Sequence, residues 1–330
     1  MKPDPAPLDP AAVARFKADL HKLTGTLPQR LGVAVSGGPD SLALLLLAAA
    51  ACPGRVRAAT VDHGLREESA QEARFVAGIC ADLAVPHDIL APGWSEPPTS
   101  NVPALARQAR YDALMNWAAR NGCDWIATAH HVDDQAETFL MRLARGAGVA
   151  GLAGVRAVTS WPASRSDLIV RPLLGWRKAE LAAIAEAAGL TPVDDPTNTD
   201  ERLDRTHARR LLAAAPWLDP ARIAASAANL LDAEDALAWA TERVVEARLR
   251  RGEDAASLTI DPRQLPRELQ RRLLLHALAY FTDETAIPGP KLITLLDTLL
   301  DGRTATLAGV KAEAGDTWRL TLAPPRRASS

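Results

Sequence analysis

Leu31-Gly-Val-Ala-Val-Ser-Gly-Gly-Pro-Asp-Ser-Leu-Ala-Leu-Leu-Leu-Leu47 is the stretch that decides the fold. An apolar run leads into the short loop Ser36–Ser41 and then into an Ala/Leu-rich segment, which predicts a strand, a tight loop and a helix. Two glycines allow positive φ and a close approach of the backbone to a ligand. Because the helix would begin near Asp40, its unpaired N–H groups and positive dipole end would face the loop. The stretch therefore predicts an anion site.

Two other interpretations of the loop Ser36–Ser41 compete with the predicted anion site. The common nucleotide loop, Gly-x-x-x-x-Gly-Lys-Ser/Thr, needs a lysine for the terminal phosphates, and no lysine lies between Lys22 and Lys178. An ordinary turn in which Asp40 or Ser41 caps a helix is the simpler alternative. Six fitting residues between a clear strand and a clear helix favour the anion site.

Bulk properties indicate a helix-rich protein of about two domains. The chain has 330 residues, of which 48% are hydrophobic and only 4% aromatic, and its net charge of −2 neither favours nor excludes a nucleic-acid partner. The three cysteines, Cys52, Cys80 and Cys123, form no Cys-x-x-Cys pair, so we expect buried free thiols. No segment resembles a leader or a membrane span, which predicts a soluble cytoplasmic protein.

Strands and helices alternate in the first part of the chain, which predicts an α/β fold with a doubly wound, five-stranded parallel sheet. The first strand starts at Leu31, and the others are predicted at 55–61, 87–90, 124–129 and 168–174. Residues 1–215 would form this domain. Residues 216–330 would form a smaller, mainly helical domain, with helices at 221–250, 265–281 and 292–300 and a terminal β-hairpin at 304–310 and 318–322.

Histidines and carboxylates follow the fourth strand, in the order His130, His131, Asp133, Asp134 and Glu137. On a helix these carboxylates share one face near the N-terminus, where the helix dipole alone could explain them. Their place at a strand end, in the same sheet as the loop, favours a functional site for Mg²⁺ or an amine. Zinc is disfavoured because the chain lacks a cysteine set or a His-Glu-x-x-His helix.

Arginines are dense in two later segments. Residues 138–180 carry seven basic residues against two acidic ones, which favours a surface for nucleic-acid phosphates over an ordinary solvated helix face. Arg205 and Arg209 are one helical turn apart and would point the same way, although salt bridges to Asp200 or Glu201 are the simpler interpretation.

Six motifs, in order over roughly 31–210, resemble those of the tRNA(Ile)-lysidine synthetases, which belong to the N-type ATP pyrophosphatases with a pyrophosphate loop (PP-loop). They are Ser36–Ser41, Val61–Arg66, Ala109–Tyr111, His130–Thr138, Arg171–Leu174 and Asp195–Asn198. The sequence departs from the family pattern Arg-Asn-x-x-Arg at Thr206, between Arg205 and Arg209. The lack of Cys-x-x-Cys counts against the similar tRNA-thiolating enzymes.

The resemblance implies that ATP, with Mg²⁺, activates the wobble cytidine of an isoleucine tRNA with a CAU anticodon, and that L-lysine then displaces AMP. It implies ATP binding by the loop residues Ser36, Gly37, Gly38, Pro39, Asp40 and Ser41 together with Asp62 and His63, with Asp40 also holding Mg²⁺. It implies catalysis by Asp40, Arg110, Asp133, Asp134, Glu137 and Arg205, and substrate binding by His130, His131, Asp133, Glu137, Arg205 and Arg209.

Two other functions remain open from the sequence. One is a related adenylating PP-loop enzyme that uses a sulfur or ammonia donor. The other is a non-catalytic protein that binds ATP or tRNA, although ATP binding alone would not require the carboxylates after the fourth strand. We expect no membrane partner and leave a homodimer open.

Overall fold

A computed structural model describes residues 8–62, 64, 67–92, 102–160, 168–191, 204–252, 256–282 and 287–323. The chain divides into two compact units, Met1–Leu231 and Asp232–Ser330. The division falls inside a long helix, whereas the sequence predicts a domain boundary just ahead of that helix, between residues 215 and 216. Among the described helices, none has both the length and the apolar character needed to cross a bilayer.

The first unit is built on a six-stranded sheet with the order β3-β2-β1-β4-β6-β5. The five predicted parallel strands are confirmed, although the observed strands are shorter than predicted at one or both ends in most cases. A sixth strand, β5, was not predicted, and it pairs antiparallel with β6 at the edge. The strands are β1 Leu31–Ala34, β2 Val56–Val61, β3 His87–Leu90, β4 Trp125–Ala127, β5 Val158–Ser160 and β6 Leu168–Val170.

Nine helices are described between the start of the chain and residue 248. They are α1 Pro10–Thr24, α2 Pro39–Ala51, α3 Glu67–Asp82, α4 Val102–Asn121, α5 Val132–Ala144, α6 Val149–Leu152, α7 Lys178–Ala187, α8 Asp204–Ala214 and α9 Pro220–Arg248.

Alternate strand residues face opposite layers of helices, as a doubly wound sheet requires. Val33 and Ala58 lie in a core with residues of α1, α2, α3 and α7. Ala59 and Ile126 face the other side, where they share a core with residues of α4. The strand order reverses between β1 and β4, so the carboxyl ends of these two strands form the crevice in which such folds bind ligands.

The second unit combines the C-terminal part of α9 and two further helices, α10 Arg267–Ala279 and α11 Gly289–Leu300, with an antiparallel sheet. The predicted terminal hairpin is part of this larger sheet, which has five strands in the order β7-β8-β11-β10-β9. The partner of its last strand is Val310–Glu313, most of which the sequence assigned to the turn, and 305–307 form a separate strand on the other side of that partner. The strands are β7 Leu249–Arg251, β8 Ser257–Ile260, β9 Ala305–Leu307, β10 Val310–Glu313 and β11 Trp318–Leu322. Short strands such as β7 leave little local pattern, so the sequence did not reveal β7 and β8.

Candidate functional site

The loop after β1 leaves the N-terminus of α2 open. Gly37 has φ of +89°, and Gly38, which precedes α2, provides no side chain to accept from the first helical amides. Ser41 Oγ is buried inside the loop, accepts from Ser36 N at 3.1 Å and donates to Gly38 O at 2.9 Å. The two serines therefore hold the loop in shape while the helix amides remain available to an anion.

Asp40, in the first turn of α2, has one engaged and one unengaged carboxylate oxygen. Its Oδ2 lies 3.4 Å from His131 Nε2. Its Oδ1 is buried and has no hydrogen-bond partner within the described part of the chain. A buried carboxylate oxygen without a donor fits a cation ligand, and Mg²⁺ in proteins is often held by one or two carboxylates together with substrate phosphates. No group of three His, Cys, Asp or Glu residues among those described could hold a metal without such help.

His131 connects this loop to the carboxylates that follow β4. Its side chain is 4% exposed, with Nε2 3.4 Å from Asp134 Oδ2 and Nδ1 3.6 Å from Asp133 Oδ2. Burial alone would lower the pKa of His131, but the hydrogen bonds with Asp133 and Asp40 and the charge of Asp134 raise it to about 9. The imidazole is therefore charged at neutral pH.

The carboxylate of Asp133 contacts the residues at the start of α7. Its Oδ2 accepts from the backbone N–H of Lys178, the first residue of that helix, at 2.8 Å, and its Oδ1 lies 3.7 Å from Arg177 Nη2. Burial would raise the pKa of Asp133, but the bonds from His131 and Lys178 and the charge of Arg177 lower it to about 2. This carboxylate therefore joins α5 to α7.

Glu137 lies between the two arginines of α8. Its Oε1 accepts from Arg209 Nε at 2.7 Å, and its Oε2 lies 3.2 Å from Arg205 Nε. The Glu137 side chain is 4% exposed, and Oε2 has no partner with hydrogen-bond geometry. The expectation that Arg205 and Arg209 point the same way is met, and both reach Glu137. The position where the family pattern has asparagine, Thr206, is buried beside them.

Arg110 and His130 lie in a positively charged region beside the carboxylates. Burial lowers the pKa of Arg110, and the charges of Arg107 and Arg205 lower it further. His130 Nδ1 is 3.0 Å from Thr128 Oγ1. Burial keeps the pKa of His130 well below its usual range, against the opposing effect of Asp134, so this imidazole is neutral.

Asp62, directly after β2, accepts hydrogen bonds from Gly64 and from a residue of α3. Its Oδ1 accepts from Gly64 N at 2.9 Å and from Ser69 Oγ at 2.6 Å. The predicted ATP-binding residue His63 and the predicted Asp195–Asn198 motif lie outside the described residues.

Two of the arginines that the sequence assigned to a nucleic-acid surface donate to backbone carbonyls. Arg171 is 5% exposed and donates to Arg156 O at 2.7 Å, and Arg142 donates to Gly151 O at 2.7 Å. Because its side chain is buried, the assignment is wrong for Arg171, whereas half-buried Arg142 stays a prediction. Sequence reasoning also missed Arg107, whose only signal is its position three residues before Arg110 on a helix.

A family model described as "PP-loop domain" matches residues 11–215. A tRNA(Ile)-lysidine synthase of Zymomonas mobilis is 45% identical over 92% of each chain, and one of Novosphingobium aromaticivorans is 46% identical over 96% of this chain and 95% of its own. The chain belongs to the tRNA(Ile)-lysidine synthase family. The resemblance inferred from the six motifs is thereby confirmed.

One solved structure shares the fold of this chain. The U34-tRNA thiolase of Methanococcus maripaludis superposes with a TM-score of 0.55 at 19% identity, covering 67% of this chain and 80% of its own.

Proposed function

We propose that the protein attaches L-lysine to C2 of the wobble cytidine of an isoleucine tRNA with a CAU anticodon, at the expense of ATP and in the cytoplasm. The observation that carries this proposal is the 3.4 Å approach of His131 Nε2 to Asp40 on the loop helix and to Asp134 on α5. One charged imidazole thus joins a phosphate loop to a carboxylate cluster at the crevice between β1 and β4. Activation by ATP and use of an amine would then occur side by side.

In the first step, the cytidine O2 attacks the α-phosphorus of ATP, and pyrophosphate leaves. The open amides at the start of α2 and the loop of Ser36 to Ser41 bind the phosphates. Asp40, whose Oδ1 has no donor within the described part of the chain, would hold Mg²⁺, and the ion would neutralise charge on the triphosphate. Arg110 and Arg205 add positive charge beside the transferred group.

In the second step, the lysine ε-amine attacks C2 of the activated cytidine, and AMP leaves with the former O2. The amine must first lose a proton to become a nucleophile. Asp134 and Glu137 receive the ammonium form, and the buried Glu137 Oε2 can accept its N–H. One of these carboxylates takes the proton. Asp133, through its bond to Lys178 N, holds α5 in place for this step.

The decisive experiment is incubation of the protein with ATP, radiolabelled lysine and the isoleucine tRNA with a CAU anticodon. We expect label in the RNA, and none when the wobble cytidine is replaced by uridine. No label with the cytidine-containing tRNA, from a folded protein that binds ATP, would overturn the proposal.

Variants separate the two steps. We expect Asp40→Asn to reduce tRNA-dependent ATP–pyrophosphate exchange by about 100-fold or more, because a charged ligand of the phosphate site is lost. Asp134→Asn and Glu137→Gln should retain that exchange and reduce lysine incorporation by about 100-fold. The reverse pattern would contradict the assignment of these carboxylates to the amine.

A further inference from the structure

Arg107 lies in the second turn of α4, one turn before Arg110. The helix starts after β3, so its first turns are at the same edge of the sheet as the loop after β1 and the residues after β4. The Arg107 side chain is exposed at this edge. It is therefore next to the proposed site without being part of its buried interior.

The guanidinium of Arg107 stacks on an aromatic ring. Its central carbon lies 5.0 Å from the centre of the Tyr111 ring. Tyr111 is 2% exposed and takes a hydrogen bond from Arg171, so the ring is fixed. Within the described part of the chain, no carboxylate pairs with Arg107 and no hydrogen bond engages it. Stacking leaves the N–H groups at the rim of the guanidinium free to donate.

Arg107 adds charge where positive charge is already concentrated. Burial lowers the pKa of Arg110, Arg142 and Arg171, and the charge of Arg107 lowers the pKa of each one further. Arg142 and Arg171 donate to backbone carbonyls, so their hydrogen bonds do not neutralise their charge. Repulsion among these groups costs stability until an anion binds.

We propose that Arg107 binds a backbone phosphate of the RNA substrate, next to the nucleotide that reacts. A phosphodiester accepts paired N–H bonds from a guanidinium, and it would relieve the repulsion that Arg107 creates. RNA is favoured over the triphosphate of ATP because Arg107 is exposed at the rim, whereas Arg110 is more buried. This inference rests on the proposed function, which supplies the RNA.

The test compares wild type, Arg107→Ala and Arg107→Lys for binding to fluorescently labelled isoleucine tRNA, between about 50 mM and 200 mM salt. We expect Arg107→Ala to weaken binding about tenfold and to reduce the slope of log affinity against log salt by about one. Arg107→Lys should keep the slope and lose part of the affinity, because a lysine retains the charge without the paired donors.

Arg120→Ala is the matched control, because Arg120 is an exposed arginine in the last turn of the same helix, at the opposite edge of the sheet. It should leave tRNA binding unchanged. ATP affinity, measured by calorimetry, should be the same for Arg107→Ala and wild type. The thermal midpoint of Arg107→Ala should equal or exceed that of wild type, because repulsion is removed.

Three results for Arg107→Ala would overturn the inference. The variant could bind tRNA with the affinity and salt slope of wild type, or it could lose ATP affinity while tRNA binding stays intact. It could also unfold at a lower thermal midpoint and lose binding of both ligands. A parallel lysine-incorporation assay on wild type separates the two proposals. Incorporation by wild type together with unchanged tRNA binding in Arg107→Ala rejects only the role of Arg107. Failure of incorporation with the expected binding defect rejects only the proposed reaction.

Discussion

The adjacent residues His130 and His131 differ in charge at neutral pH, since the imidazole of His130 is neutral and that of His131 is protonated. His131, the residue before α5, meets carboxylates of Asp40, Asp133 and Asp134, which hold its pKa at about 9. His130 is buried on the side of the arginines, and its pKa is lowered. Adjacent side chains at the start of a helix point in different directions, so two identical residues experience fields of opposite sign.

Lowering the pH should destabilise the wild type through His130. The fold lowers its pKa, so below pH 6.5 the unfolded chain binds a proton that the folded chain resists, and the free energy of unfolding falls with pH. Burial is the main cause of the lowered pKa of His130. Among the charged groups around it, Asp134 favours the protonated form, and Arg171, Arg107 and Arg110 oppose it. Urea unfolding of wild type and His130→Gln at pH 7.5 and 5 measures the effect. The variant should lose less stability on acidification, and parallel losses would contradict the prediction.

At the scale of elements, side chains of α5 shape the segment that leads to β5. Gln135 makes two bonds with the backbone of Val155, donating to its O at 2.8 Å and accepting from its N at 2.6 Å. Arg142 donates to Gly151 O and Gly154 O nearby. The helix that carries the proposed amine-binding carboxylates thus also positions the edge of the sheet, and it uses an arginine for this purpose.

Gly154→Ala should test this connection. Gly154 has φ of +71°, and an added Cβ would lie 2.7 Å from Gln135 Oε1, so the Gln135–Val155 pair would have to move. Gly146→Ala is the matched control, since Gly146 has φ of +70° with nothing within 4 Å of an added Cβ. Both changes carry the cost of the left-handed backbone, about 1–2 kcal/mol. We expect Gly154→Ala to lower the free energy of unfolding, measured by chemical denaturation, by about 1–3 kcal/mol more than Gly146→Ala does. Equal losses would contradict the connection between Gln135 and Val155.

At the scale of the molecule, each unit has its own hydrophobic core. The second unit packs Leu273, Leu296 and Trp318 between its helices and sheet. It also contains a nearly buried ion pair, in which Arg272 donates to both oxygens of Glu234 at 2.8 and 2.6 Å. The two side chains are 11% and 12% exposed. Loss of one member would leave the other charge without its partner in a poorly hydrated position.

Arg272→Ala should therefore destabilise the second unit by about 3–5 kcal/mol. Hydrogen exchange followed by mass spectrometry should show faster exchange in β8 and α10, with β1 and α2 unchanged, because the latter belong to a separate core. Arg303→Ala is the control, since Arg303 and Asp301 form an exposed pair whose loss should cost about 0–1 kcal/mol. Equal acceleration of exchange in β1 would show that the two cores do not unfold separately.

The sequence by itself determined the alternation of strands and helices in the first unit, the loop from Ser36 to Ser41 and the family. These features depend on local periodicity, on glycines at a turn and on short motifs, all of which are read within a few residues. The right-handed rule for parallel strands then brings the ends of β1 and β4 to one edge. Most of the predicted site residues could be named for this reason.

Only the tertiary structure decided which partners these residues have. Asp133 caps α7, 45 residues further along the chain, and Glu137 meets Arg209 across 72 residues. Arg171 turns inward because Arg156 O and Thr159 Oγ1, 15 and 12 residues before it, accept its hydrogen bonds, and β5 is a strand only because β6 lies beside it. Hydrogen bonds and burial depend on groups that are remote in sequence, so no local pattern carries that information.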